Sequence, residues 1–297
     1  MIKRTLFFGN PYHLRVRDRQ LVATDPGSGE EKRAPVEDLG FVVLDHPQIT
    51  LSLPLLEELN AHNVAVIFCN RKHLPVSMAL NLDGHHLQGE LFRHQVSASQ
   101  PLKKNLWQQT VTAKIRNQAA LLARLGRQYR DILTLAGRVR SGDVDNREGA
   151  AARLYWPRLF GDGFVRERYG PPPNHLLNYG YAVLRAAVAR ALAGSGLLAT
   201  LGIHHHNRYN AFCLADDIME PYRPFVDEIV HDLVQKDPEP ELNKTVKATL
   251  LGLLSRDVRT GRQRRPLMVA LSVTTASLAR CFSGETRKIN YAVMEQN

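Results

Sequence analysis

The stretch from Gly202 to Pro224, GIHHHNRYNAFCLADDIMEPYRP, gathers three histidines, two aspartates and a glutamate in a basic chain. Imidazole nitrogen together with carboxylate oxygen is a ligand set for Mn²⁺, Mg²⁺ or Zn²⁺. No thiol pair accompanies it, which argues against a closed structural zinc centre. Asp217 and Glu220 are three apart and share a helix face, whereas Asp216 reads as an acid complementing the dipole of a helix start. Pro221 lacks an N–H and disfavours the helical region for the residue before it, so a kink aiming Glu220 at something is expected. A further ligand should come from a separate element. Glu148 in NREGAAARLYW is the best candidate, because Gly149, Ala150, Ala151 and Ala152 behind it let a helix or ligand come close. Cys213 lacks an obvious paired base, and no HExxH spacing supports a zinc hydrolase.

These residues need a scaffold. Residues 1–75 read as short strands, KRTLFFG, YHLRVR, QLVATD and EKRAPV, separated by turn-type breaks. FVVLD, QITLS, an amphipathic PLLEELNAHN and a strand AVIFCN follow, which predicts a small, mostly antiparallel sheet arrangement with one helix. From Pro101 the spacing turns helical, with Ser99 as cap. SGDVDN breaks that helix before REGAAARLYWPRLF, and FGDGFVRERYGPPP reads as loop. NHLLNYGYAVLRAAVARALAGSG is a strong helix with Asn174 as cap and Gly194–Gly196 as stop. Helical patterns fill 214–236, 241–257 and 266–283. The predicted class is α+β: a small β-rich domain at 1–78 that reads as a structural or dimerising module, a linker at 79–99, and a larger, basic, all-α domain at 100–297, which the resemblance described below makes the catalytic, DNA-binding one.

The net charge is +10, and residues 101–200 carry it, with 16 Lys and Arg against 6 Asp and Glu. Such a surface attracts polyanions by counterion release, nucleic acid foremost. No run of 18 apolar residues suggests a membrane span, and Arg and Asp interrupt the first 20 residues too soon for a secretory signal. Three sparse cysteines predict reduced thiols and a cytoplasmic location.

NREGAAARLYW, LNYGYAVLRAAVARAL and LGIHHHNRYNAFCLADDIMEPYRP together resemble the CRISPR-associated integrase, the universal adaptation protein of CRISPR–Cas systems, in its type II form. The helix SQPLKKNLWQQTVTAKIRNQA, the approach RSGDVDNRE and the tail PLMVALSVTTASLARCF extend the resemblance over nearly the whole chain. It implies an N-terminal β domain, a C-terminal helical domain, and a Mg²⁺ or Mn²⁺ ion held by Glu148, His205 and Glu220. His204 and His206 flank the histidine position and are alternatives for it, and Asp217 is implied as a supporting acid beside the metal. The implied reaction joins the 3′-hydroxyl of a short DNA fragment to the CRISPR repeat by transesterification, with DNA endonuclease activity. The implied partners are double-stranded DNA, a second copy of the chain, a small second Cas protein bridging two dimers, and the type II RNA-guided effector nuclease. A metal-dependent nuclease or resolvase of branched DNA would use the same ligands with water as nucleophile. A non-catalytic DNA-binding scaffold would use the acids as helix caps.

Overall fold

The computed structural model describes residues 3–295 apart from Lys72, Leu82 and Asp83. The chain divides into two units, Met1–Gly84 and His85–Asn297. In the first, the strands are β1 (Arg4–Phe8), β2 (His13–Arg17), β3 (Gln20–Thr24), β4 (Glu31–Pro35), β5 (Leu39–Leu44) and β6 (Thr50–Leu51). The helix α1 (Leu53–Ala61) and the strands β7 (Ala65–Cys69) and β8 (Pro75–Ala79) follow.

Two four-stranded sheets result, ordered β1-β5-β7-β8 and β4-β3-β2-β6. The expectation of a mostly antiparallel arrangement is corrected: β1, β5 and β7 run parallel, and only β8 reverses. The reason lies in LGFVVL, all six residues of which are buried. A strand covered on both faces reads as a continuous apolar run, the pattern of a parallel sheet. Leu55 and Leu59 of α1 join Val42, Leu44, Val64 and Val66 in the core of this unit. The second sheet is antiparallel through β2, β3 and β4.

The second unit begins with α2 (Gln88–Val96), inside the stretch expected to be linker, and α3 (Gln100–Arg124). Ser99 caps α3 by accepting from Leu102 N at 3.4 Å. Then come α4 (Arg130–Ala136), α5 (Arg147–Phe160), α6 (Asn174–Gly194), α7 (Cys213–Met219), α8 (Arg223–Lys236) and α9 (Lys244–Gly252). The strands β9 (Asp257–Thr260) and β10 (Gln263–Pro266), the helix α10 (Leu267–Phe282) and the strand β11 (Ala292–Val293) complete it.

Helix α6 is apolar around most of its circumference and packs against α7, α8, α9 and α10, as a helix without a polar face must. Asn174 is the first residue of α6 and not its cap: its buried side chain donates to Val165 O and Pro171 O, pinning the preceding loop. The helical unit is not all-α. Residues 257–293 build a three-stranded sheet ordered β10-β9-β11, where 241–257 had read as helix to its end. No helix among the described residues is long and apolar enough to cross a membrane.

Candidate functional site

Helix α3 supplies the base of the site. Trp107, Val111, Lys114 and Gln118 recur at three- and four-residue intervals and share one face. Trp107 is buried, and its indole stacks on the His204 ring at 4.1 Å with the planes 1° apart. Its edge meets His205 at 5.8 Å. One aromatic side chain therefore fixes the histidine loop from below, a contact worth about 1 kcal/mol beyond its burial.

The loop closes around Asp217. Ile203 N and His204 N donate to Asp217 Oδ2 at 2.7 and 3.0 Å, and His205 N donates to Oδ1 at 3.2 Å. The fourth donor is His205 Nδ1, 2.5 Å from Oδ1. Asp217 is fully buried, and four donors replace its water. Gly202 makes the wrap possible: a Cβ there would lie 2.3 Å from His205 O and 2.8 Å from Asp217 Oδ2. The hydrogen bond to Asp217 raises His205 above the ordinary histidine range, outweighing burial. With Nδ1 donating, the neutral ring carries its lone pair on Nε2, the arrangement a carboxylate imposes on metal-ligating histidines. The His205 side chain is 47% exposed, so Nε2 can be reached. His204 lies against Trp107, and burial lowers it. His206 is exposed.

Glu148 sits in the first turn of α5. Asp143 accepts from Arg147 N and Glu148 N at 2.9 and 3.1 Å, and Asn146 caps the helix through Gly149 N at 3.0 Å. Both caps satisfy N–H groups that a helix start leaves unpaired. Their effect is to hold the Glu148 carboxylate at the end of α5 that faces α3. Glu220 is helical, with φ −52° and ψ −46°, and opens a short 3₁₀ turn through Tyr222. Glu220 keeps helical dihedrals despite the proline after it, but the α-helix is interrupted there: α7 ends at Met219 and α8 starts at Arg223, with Pro221 in the 3₁₀ turn between them. Asn117 on α3 donates to Pro221 O at 2.7 Å and fixes that turn.

The two glutamates meet on one cation. Lys114 Nζ lies 2.6 Å from Glu148 Oε1 and 2.5 Å from Glu220 Oε2. Arg223 contacts the other Glu220 oxygen, Oε1, at 2.8 Å and lies over the Tyr181 ring at 4.6 Å. Burial pulls the lysine down, but Glu220 and Glu148 outweigh it and hold Lys114 charged. Burial works against ionised Glu220 too, and Arg223 and Lys114 overcome it.

Of the predicted ligands, Glu148 and Glu220 are thus brought together, and His205 is close enough to Glu220 for each to shift the other's ionisation. The expected triad is modified: among the described residues no three His, Cys, Asp or Glu side chains converge as a metal cluster, and an ammonium holds the point between the glutamates. The residues nevertheless fit a divalent ion. A positive charge already stands where the carboxylates point, and buried Glu220 Oε2 has no directional hydrogen bond among the described residues despite its ion pair. Lys114, Trp107 and Arg223 escaped the sequence reading. The seven-residue interval between Trp107 and Lys114 was the available signal.

A model of the family described as CRISPR associated protein Cas1 matches residues 6–244. The chain is 36% identical over 280 residues to the CRISPR-associated endonuclease Cas1 of Neisseria meningitidis, covering 93% of this chain and 91% of that one. Among solved structures, a casposase bound to integration product superposes with TM-score 0.81 at 20% identity, over 97% of this chain and 92% of that one. A Cas6-RT-Cas1–Cas2 complex gives TM-score 0.74 at 20% identity, over 99% of this chain and 36% of that one.

Proposed function

The chain belongs to the Cas1 family, and from that premise we propose that it is a metal-dependent DNA integrase of CRISPR adaptation with endonuclease activity. The 3′-hydroxyl of a short DNA fragment attacks a phosphodiester of the CRISPR repeat, its oxygen bonds the phosphorus, and the bond to the repeat strand's own 3′-oxygen breaks, that oxygen leaving as a 3′-hydroxyl. The observation that carries this reading is the convergence of Glu148 and Glu220 on a single positive charge beside the exposed ring of His205.

Glu148, Glu220 and His205 Nε2 would hold Mg²⁺ or Mn²⁺. When bound, such an ion neutralises the charge that gathers on phosphate oxygens during in-line displacement. Asp217 orients His205 and keeps Nε2 free of a proton in the neutral ring. Asp143 and Asn146 hold Glu148, and Asn117 and Arg223 hold Glu220. Lys114 neutralises the two carboxylates from within the chain, which keeps them side by side. The nucleophile comes from the DNA. Cys213 is unsuited to the task, because burial raises its thiol and its Sγ bonds Asn207 O and Asn210 O.

The same reading gives the chain DNA, a second copy of itself through the first unit, a small second Cas protein and the type II effector nuclease as partners. The test is joining of labelled fragment to a repeat-bearing plasmid by purified protein with its small Cas partner and Mn²⁺. Wild type should attach label, and His205→Ala and Glu220→Ala should not. Cutting without joining would replace the integrase reading by the nuclease one. No metal-dependent change in any DNA, from folded and partnered protein, would leave a scaffold.

A further inference from the structure

The sequence RTGRQRR (259–265) plays no part in the site above. It forms the β9–β10 hairpin, beyond the residues matched by the family model. The hairpin has two charge-bearing faces. On one, Arg259 and Arg264 pair across the strands, and both reach Glu295. On the other, Arg262 and Arg265 line an open cleft of about 850 Å³ between the hairpin and α3. Arg116 of α3 and Lys288 complete its cationic lining.

No acid lines this cleft among the described residues, and Arg116, Arg262 and Lys288 make no ion pair or side-chain hydrogen bond there. Among the described residues Arg265 bonds only the neutral amide of Gln263. Arginines packed closer to the core of this unit are matched: Arg124 and Arg256 share Glu228, and Arg158 holds Asp131 with two hydrogen bonds. Four unmatched cations around one concavity repel one another, and a polyanion relieves that repulsion. Guanidinium groups match phosphate oxygens in geometry as well as charge. Thr260 adds a buried hydroxyl without a hydrogen-bond partner among the described residues. The helix places this cleft away from the glutamates. At 100° per residue, Arg116 points about 200° around α3 from Lys114.

We propose that the cleft formed by the β9–β10 hairpin, Arg116 and Lys288 binds the phosphate backbone of a nucleic-acid strand at a second place, on the back of the helix that carries Lys114. The choice of nucleic acid among polyanions rests on the function proposed above; the polyanion site itself rests on the charges.

The test is binding of fluorescent single- and double-stranded DNA and of single-stranded RNA, in EDTA, at a series of salt concentrations. EDTA removes catalysis from the readout, so failure of the integrase reading cannot imitate failure here. Arg262→Gln/Arg265→Gln should weaken binding at low salt by about tenfold or more, and lower the salt slope by about 2. Arg116→Gln/Lys288→Gln, at exposed positions that do not endanger folding, should do the same. Arg259→Gln/Arg264→Gln removes equal charge from the opposite face and should change the slope by well under half as much. Which of the three nucleic acids loses most identifies the strand. Equal losses from both faces would mean that only overall charge matters, and would overturn the site. Unchanged binding in both cleft variants would do so too, whereas competition by poly-glutamate as effective as by DNA would overturn the choice of nucleic acid as the occupant.

Discussion

Helix α3 separates two charged regions that handle charge in opposite ways. On the Lys114 face every buried charge has a partner: Lys114 lies between Glu148 and Glu220, Arg223 sits on Glu220, and Asp217 collects four donors. On the Arg116 face, cations line a cleft without an acid among the described residues. The difference follows from solvent. Glu220 is 5% exposed, so ionising it unpaired would cost several kcal/mol. Arg262 is exposed, and water with counterions screens it at little cost. Burial forces matching, whereas an open surface can keep charge in reserve for a partner.

The contrast can be broken most forcefully at Lys114. Lys114→Met leaves two carboxylates facing each other in a largely buried place, and should cost about 3 kcal/mol of unfolding free energy in EDTA. Mn²⁺ should restore much of that loss, and Glu148→Gln in the same background should restore part of it without metal. Chemical denaturation with and without Mn²⁺ checks this; a variant as stable as wild type in EDTA would show that the ammonium does not hold the carboxylates.

Asp227, on the matched side, is held by neutral hydroxyl donors. Burial pushes it up to about 6 although Tyr155 and Tyr181 both donate to it. Because that lies above the ordinary carboxylate value of about 3.9, the folded chain keeps a proton that the unfolded chain has already released. Stability from this group is therefore full below about pH 4 and is lost as pH rises to about 6. Asp227→Asn should remove that slope, roughly 2 kcal/mol between pH 4 and 6.5, as read by urea denaturation. Identical slopes in both proteins would mean that Asp227 ionises as it does in water.

A smaller effect is expected at His205. The imidazolium must lose its proton to bind a cation, and Asp217 raises the pH at which it does so. Mn²⁺ affinity measured by calorimetry should fall up to about tenfold per pH unit on the acid side of that titration. Asp217→Asn should move the fall to lower pH, whereas an affinity independent of pH would remove His205 from the ligand set. The least effect belongs to the cleft: Arg262→Gln/Arg265→Gln should change unfolding free energy by no more than about 0.5 kcal/mol. A large loss would make those arginines structural.

The same contrast explains what the sequence revealed. The order of a β-rich unit and a mostly helical one was legible, as was α6, whose apolar residues leave no polar face. The parallel pairing of β5 with β1 and β7 was obscured because a short apolar run fits either sheet type. The hairpin at 257–266 was missed because its strands are mostly polar and lie at a surface, where hydrophobic alternation is faint. Glu148, the histidines at 204–206 and Glu220 stood out as acids and imidazole in a basic chain, and only the family resemblance chose His205 among the three. Lys114 did not, since one lysine on a basic helix reads as solvated until the fold places two carboxylates against it. Pro221 marked the interruption between α7 and α8, although Glu220 before it keeps helical dihedrals because a proline fits the first turn of the new segment.

The lysine between the glutamates also bears on how the protein matures. Many metalloproteins cannot fold until the ion arrives, so synthesis in a metal-poor cell yields unfolded chain. A built-in ammonium removes that dependence. On the metal-dependent reading proposed above, the chain would be made, folded and stored ahead of its ion, and its loading would follow the free divalent concentration of its surroundings rather than the moment of its birth.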